Sequence, residues 1–189
     1  MSPLPPLGFF AKPAAAAGDF ESIATVSVGS GGAANVEFTS IPGTYTHLQI
    51  RMLGRLDGAV ASGTGIIRYN GDTNSNNYTY HEILGNGTSA SAYGSAAPES
   101  NQITTLTGAT ATASVFGVGI TDILDYANTN KYKTQRNLGG YDNNGSGQIR
   151  LNSGLWMNTA AITSIKITPN VGSNFVQYSH FALYGIKGA

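Results

Sequence analysis

THLQIRMLGR, residues 46–55, alternates: Leu48, Ile50 and Met52 fall on one side of an extended chain, His47, Gln49 and Arg51 on the other. Side chains change sides with period two along a strand, so this spacing predicts a strand with one face on a core and one toward solvent. A helix would need its apolar residues three and four positions apart.

The same pattern continues on both sides of this stretch. ESIATVSV (21–28) and ANVEF (34–38) flank the loop GSGGA, which predicts a hairpin. Further strands are expected in TGIIRYN (64–70), NYTYHEIL (77–84), SVFGVGITDIL (114–124), KYKTQRNL (131–138), GQIRLNSGLW (147–156), AITSIKIT (161–168) and FVQYSHFALYGI (175–186). The joints suit tight turns: Pro42-Gly43, Asn70-Gly71, Asn86-Gly87, Asn144-Gly145 and Pro169-Asn170 supply a fixed or positive φ. No segment has the period of an amphipathic helix. About ten strands at this spacing predict an all-β fold, a single antiparallel β-sandwich of jelly-roll type over residues 20–189. In SVFGVGITDIL the apolar set slips from Phe116, Val118 and Ile120 to Ile123, and Gly117 and Gly119 point to a bulge or a close crossing of the sheets.

Composition narrows the function classes. Charged residues are 11% of the 189, against about 25% in an ordinary domain, so the surface is polar but mostly uncharged. Ten Lys and Arg balance ten Asp and Glu. Such a chain has no field to draw in nucleic acid or an anionic membrane, and little charge to oppose self-association. With no cysteine, disulfides, thiolate nucleophiles and cysteine-bound zinc are all excluded. No stretch approaches the roughly 18 apolar residues that span a bilayer, so no membrane insertion is expected. The N-terminus also lacks the basic and apolar regions of a secretion signal, which points to synthesis in the cytoplasm.

Residues 1–19 differ from the rest. Pro3, Pro5, Pro6 and Pro13 deny a helix, while Leu4, Leu7, Phe9 and Phe10 are apolar side chains that a solvated tail has no use for. The segment is expected to be an extended arm that docks on a neighbour.

YNGDTNSNNYTYHEILG (69–85) is the segment closest to a chemical motif. Asp72, Asn74 and Asn76 match positions 1, 3 and 5 of an EF-hand loop, but Asn77 stands where Gly is required and Ile83 where a bidentate Glu is required. His81-Glu82 opens like a zinc-protease HExxH, yet the second ligand position holds Gly85. A polar hairpin tip is the reading that remains, with no metal and no cofactor. No phosphate loop, dinucleotide fingerprint or nucleophile elbow occurs despite 25 glycines. Asp122 and Asp125 are read as surface residues at a strand end rather than a catalytic pair, and no enzyme is expected. KYKTQRN is read as an edge strand protected by lysines or as an inter-subunit contact. Tyrosine and asparagine side chains on loops suit protein or sugar contacts. The candidate contact loops therefore hold Asn74, Asn76, Tyr78 and Tyr80 in one segment and Tyr141, Asn143 and Asn144 in another.

Taken in order, FESIATVSVGSGGAANVEFTSIPGTYTHLQIRM (20–52), RYNGDTNSNNYTYHEILGNGTSAS (68–91), GLWMNTAAITSIKITP (154–169) and SHFALYGIKGA (179–189) resemble a family of small bacteriophage virion proteins, found often in phages of aquatic bacteria. The resemblance covers about residues 19–187 and rests on several blocks rather than one signature. Members are described as tail-fibre, tail or general structural proteins, so it implies a binding role and no catalytic residues. The expectation is a virion surface protein and homotrimer, a short tail fibre or tail appendage that meets other virion proteins through the arm and host-surface glycan through the loops. Capsid decoration is the alternative role, and a glycan-binding or glycan-degrading module the third.

Overall fold

The computed structural model describes residues 18–96 and 101–188. The arm residues Leu4, Leu7, Phe9 and Phe10 lie outside the described residues. Among the described residues twelve strands follow one another: β1 (Phe20–Ser27), β2 (Val36–Phe38), β3 (His47–Gly54), β4 (Ser62–Tyr69), β5 (Tyr78–Gly85), β6 (Ala90–Ala96), β7 (Asn101–Thr107), β8 (Gly117–Leu124), β9 (Lys133–Asp142), β10 (Gly147–Trp156), β11 (Ile165–Pro169) and β12 (His180–Ile186). One 3₁₀ turn, Ser75–Asn77, leads into β5.

These strands form two antiparallel sheets, one ordered β1-β12-β3-β8-β9-β10-β5-β6 and the other β2-β11-β4-β7. The first four strands of the large sheet and the whole of the small one have the order of a jelly roll, two Greek keys folded face to face. Two hairpins are added to it. β5-β6 is inserted between β4 and β7, β9-β10 between β8 and β11, and both extend the large sheet beyond the edge of the small one. The fold is the expected all-β sandwich.

Its core lies between the sheets and is built from the alternation read in the sequence. Leu48 and Ile50 are fully buried and Met52 nearly so, while His47, Gln49 and Arg51 take the opposite face. They meet Val36, Phe38, Ile67, Tyr69, Ile165 and Ile167 of the small sheet, and each large side chain buried in this way contributes about 1.5–3 kcal/mol. Phe175 and Phe181 pack edge to face with centroids 4.8 Å apart.

Two strand-level expectations change, two further strands are found, and one open alternative closes. Residues 21–28 and 34–38 do not pair as a hairpin: β1 joins the large sheet and β2 the small one, because the loop between them carries the chain across the sandwich. Strands β6 and β7 were not legible, and both exist. The segment KYKTQRN does not form an edge, since β9 is hydrogen-bonded on both sides, to β8 and β10. Lys133 points inward from it and is buried, its ammonium donating to the carbonyls of Asn128 (2.6 Å), Lys131 (2.8 Å) and Thr159 (3.0 Å). Finally, β8 pairs in unbroken register with β3 and β9, so its glycines mark no bulge. They mark a close crossing: a Cβ on Gly119 would lie 2.8 Å from the Cβ of Thr104, and one on Gly117 would lie 2.6 Å from the Thr105 carbonyl.

Candidate functional site

The segment around Asp72 is a clasp made from its own polar groups. Asn70-Gly71 takes the positive φ of a tight turn. Beyond it, the Asp72 carboxylate accepts from Asn74 N (2.8 Å), Asn77 Nδ2 (2.7 Å) and the indole Nε1 of Trp156 (2.7 Å). Burial pushes the Asp72 carboxyl up, but these three hydrogen bonds outweigh it and hold the group below the usual carboxylate range. Its oxygens are therefore committed to the fold. Asn74 caps the 3₁₀ turn by accepting from Asn76 N (3.1 Å).

The named contact residues divide. Asn74 and Asn76 are exposed, Tyr80 is half-buried, and Tyr78 is fully buried. Tyr78 is therefore a core residue and not a surface contact, because it faces the same way as Trp156 across the β5–β10 pair; its hydroxyl donates to the Asp72 carbonyl (3.1 Å), and burial raises it to about 12. In the second segment Asn144 is exposed, Tyr141 and Asn143 half-buried. Asn143 Oδ1 accepts from Thr112 N (2.9 Å), fastening the β9-β10 turn to the neighbouring loop. The two segments do not meet. They lie at opposite ends of β5 and β10, about 25 Å apart at the rise of a strand, and the Tyr141–Ser146 turn sits beside Gly85–Gly87 instead. Asp122 and Asp125 are likewise held apart by separate partners: Gln49 Nε2 (2.8 Å) and Arg136 Nη2 (3.3 Å) bond the first, Lys131 the second.

A larger feature is the outer side of the eight-stranded sheet, aliphatic where an exposed sheet face is ordinarily polar. Arg51, Ile120, Leu138, Leu151 and Ile83 stand opposite one another on β3, β8, β9, β10 and β5. Two residues along, Leu53, Val118, Gly140, Ile149 and Gly85 form the next row. Ile149 is 63% exposed, Ile83 59% and Leu138 53%, and no described residue covers them. Gly140 lacks a side chain, and a groove of about 540 Å³ runs beside it along Val118, Leu138 and Ile149. The polar row beside the patch is balanced, Asp122 being paired with Arg136. These exposed residues explain the slip in SVFGVGITDIL: Val118 and Ile120 are apolar on the outside, Ile123 on the inside.

On the inner side of the same sheet, past the edge of β7, the buried surface is polar. Arg150 lies 3.4 Å from Glu82, its Nη1 donates to Gln102 Oε1 (2.6 Å), and Gln102 Nε2 donates to the Tyr80 hydroxyl (2.9 Å). Burial, with the Glu82 carboxylate nearby, pushes the Tyr80 phenol up. Of this group the sequence marked Tyr80 as a contact residue and Glu82 only as part of a rejected zinc motif. Glu82, Gln102 and Arg150 are far apart in the chain, and the one available signal was a charged residue at an inward position of an alternating strand.

Comparison of the chain with protein-family models, curated proteins and solved structures gives no match. Fold and surface together define a jelly-roll β-sandwich whose extended sheet presents an open aliphatic face.

Proposed function

We propose that the chain is a structural protein of the surface of a bacteriophage particle, a short tail fibre or tail appendage made in the host cytoplasm, which acts by binding and not by turnover. The observation that supports this reading best is the outer aliphatic face. Seven large aliphatic side chains, Leu53, Ile83, Val118, Ile120, Leu138, Ile149 and Leu151, stand 39–63% exposed on one sheet face, and a contiguous apolar patch of this kind marks an interaction surface. A chain with no net charge, with Asp122 and Arg136 paired beside the patch and Arg51 as the cation at its end, has little charge to oppose packing against further copies of itself. The face accordingly packs copies of the chain together, as a homotrimer, and residues 1–19 attach the assembly to other virion proteins through Leu4, Leu7, Phe9 and Phe10.

Gold-labelled antibody on particles of the source phage tests the role. Label at the tail tip is expected; label over the head would replace the appendage by capsid decoration, and intact particles without label would overturn the reading. Removal of residues 1–18 is expected to abolish incorporation while the sandwich keeps its melting temperature.

A further inference from the structure

The polar corner formed by the edge strand β7 and the inner face of β5, β6 and β10 is open to solvent and holds about 750 Å³, within the range of small-molecule sites. We infer that this cleft binds a neutral oligosaccharide.

Three observations carry the inference. First, hydrogen-bonding capacity is left over on the cleft wall. The side chains of Ser62, Ser91, Ser95 and Gln148 line it, are half-buried, and make no hydrogen bond to another described residue. Hydroxyls and amides with unused donors and acceptors at an open, concave surface can bond a polar ligand directly. Second, the charge is already cancelled. Among the described residues Arg150 is the sole cation lining the cleft, and Glu82 lies 3.4 Å from it, so a phosphate, sulfate or acidic sugar finds no free positive charge on them. What remains is a mixture of hydroxyls and amides, including Gln102, Gln148 and Ser91, that both donate and accept, which is the complement of sugar hydroxyls. Third, the wall includes an aromatic ring. Tyr93 on β6 stands opposite Glu82 and faces the same way, yet is 55% exposed, so its ring is free to stack on the C–H face of a pyranose.

A buried Glu–Arg pair is a weak contributor to stability in itself. Here both members line the cleft, with Gln102 held between Arg150 and Tyr80. The cleft lies on the face opposite the aliphatic patch, so assembly through that patch leaves it accessible.

The purified chain would be screened on an array of neutral and acidic oligosaccharides, and the strongest neutral hit titrated while amide shifts are followed by NMR. Expected are neutral hits, shifts concentrated at residues 80–95, 102 and 148–150, and binding about tenfold weaker in Tyr93→Ala. Tyr93 is exposed, so this variant should melt like the native protein; Gln148→Ala provides a second variant should it not. Leu138→Glu, on the opposite face, should leave Kd unchanged. The inference is overturned by an array without neutral hits, by hits that require a carboxylate or sulfate, or by shifts away from the cleft with native affinity in Tyr93→Ala. None of these results touches the particle-surface reading, which labelling of particles tests by itself.

Discussion

Asp72 shows how a side chain that looks like a metal ligand can be a structural one. Its charge is held by Asn74 N, Asn77 Nδ2 and Trp156 Nε1, and its pKa is held down on balance. A carboxylate with a depressed folded pKa stabilises the protein above its unfolded pKa of about 3.9, and that contribution is lost as pH falls through the folded value. Asp72→Asn should therefore lose about 1–2 kcal/mol at pH 7, the scale of hydrogen bonds to a charged acceptor. The difference from the native protein should shrink as pH falls below that unfolded pKa; urea melts on either side of it would show this, and a constant difference would mean that the charge is irrelevant. Lys133 is the opposite case, a cation surrounded by three carbonyls. Lys133→Met keeps the stem but strands those carbonyls, and should lower stability by about 3 kcal/mol in the same assay. The Asn-Gly turn before Asp72 was legible because turn chemistry is local. The bond to Trp156, 84 residues away, was not.

Strands were legible in proportion to their asymmetry. β3 and β10 have one buried and one exposed face, so alternation marks them nearly to the residue. β7 (NQITTLT) is buried almost throughout, and β6 (ASAYGSA) is made of small residues, so neither carries a period. β8 misled for a third reason, since both of its faces are apolar. Its glycines follow from where β7 lies. Gly117, Gly119 and Gly139 form a bed without side chains on which Thr104–Leu106 rests, and a Cβ on Gly139 would sit 2.0 Å from Thr104 Oγ1 and 2.5 Å from the Val118 carbonyl. A backbone carbonyl cannot move aside, so Gly139→Ala should lose about 2–3 kcal/mol through overpacking. Gly29→Ala meets nothing within 4 Å and should stay within about 0.5 kcal/mol of native. Thermal melts of the pair distinguish a packed sheet crossing from loose glycines, which would tolerate both changes.

The two added hairpins turn a minimal jelly roll into a molecule with two unlike surfaces. Because they extend only one sheet, its inner side projects past β7 as a polar cleft, and its outer side becomes broad enough to serve as an interface. Neither surface was legible in the sequence, since each is assembled from strands separated by long stretches of chain. If copies of the chain pack through the outer face, negative charge there must oppose assembly without disturbing the core. Leu138 and Leu151 are partners across β9 and β10, both exposed and both central to the patch. Leu138→Glu with Leu151→Glu places two carboxylates side by side on every copy, so burying them against another copy would cost several kcal/mol per interface. On a free monomer the same carboxylates point into water, and the melting midpoint should move only by the modest repulsion of a cross-strand like-charge pair. Sedimentation velocity should accordingly give a single monomeric species for the double variant and an oligomer for the native chain at equal concentration. A native chain that sediments as a monomer up to high concentration would show that this face does not join copies of the chain, and a double variant that remains oligomeric would show that copies meet through another surface.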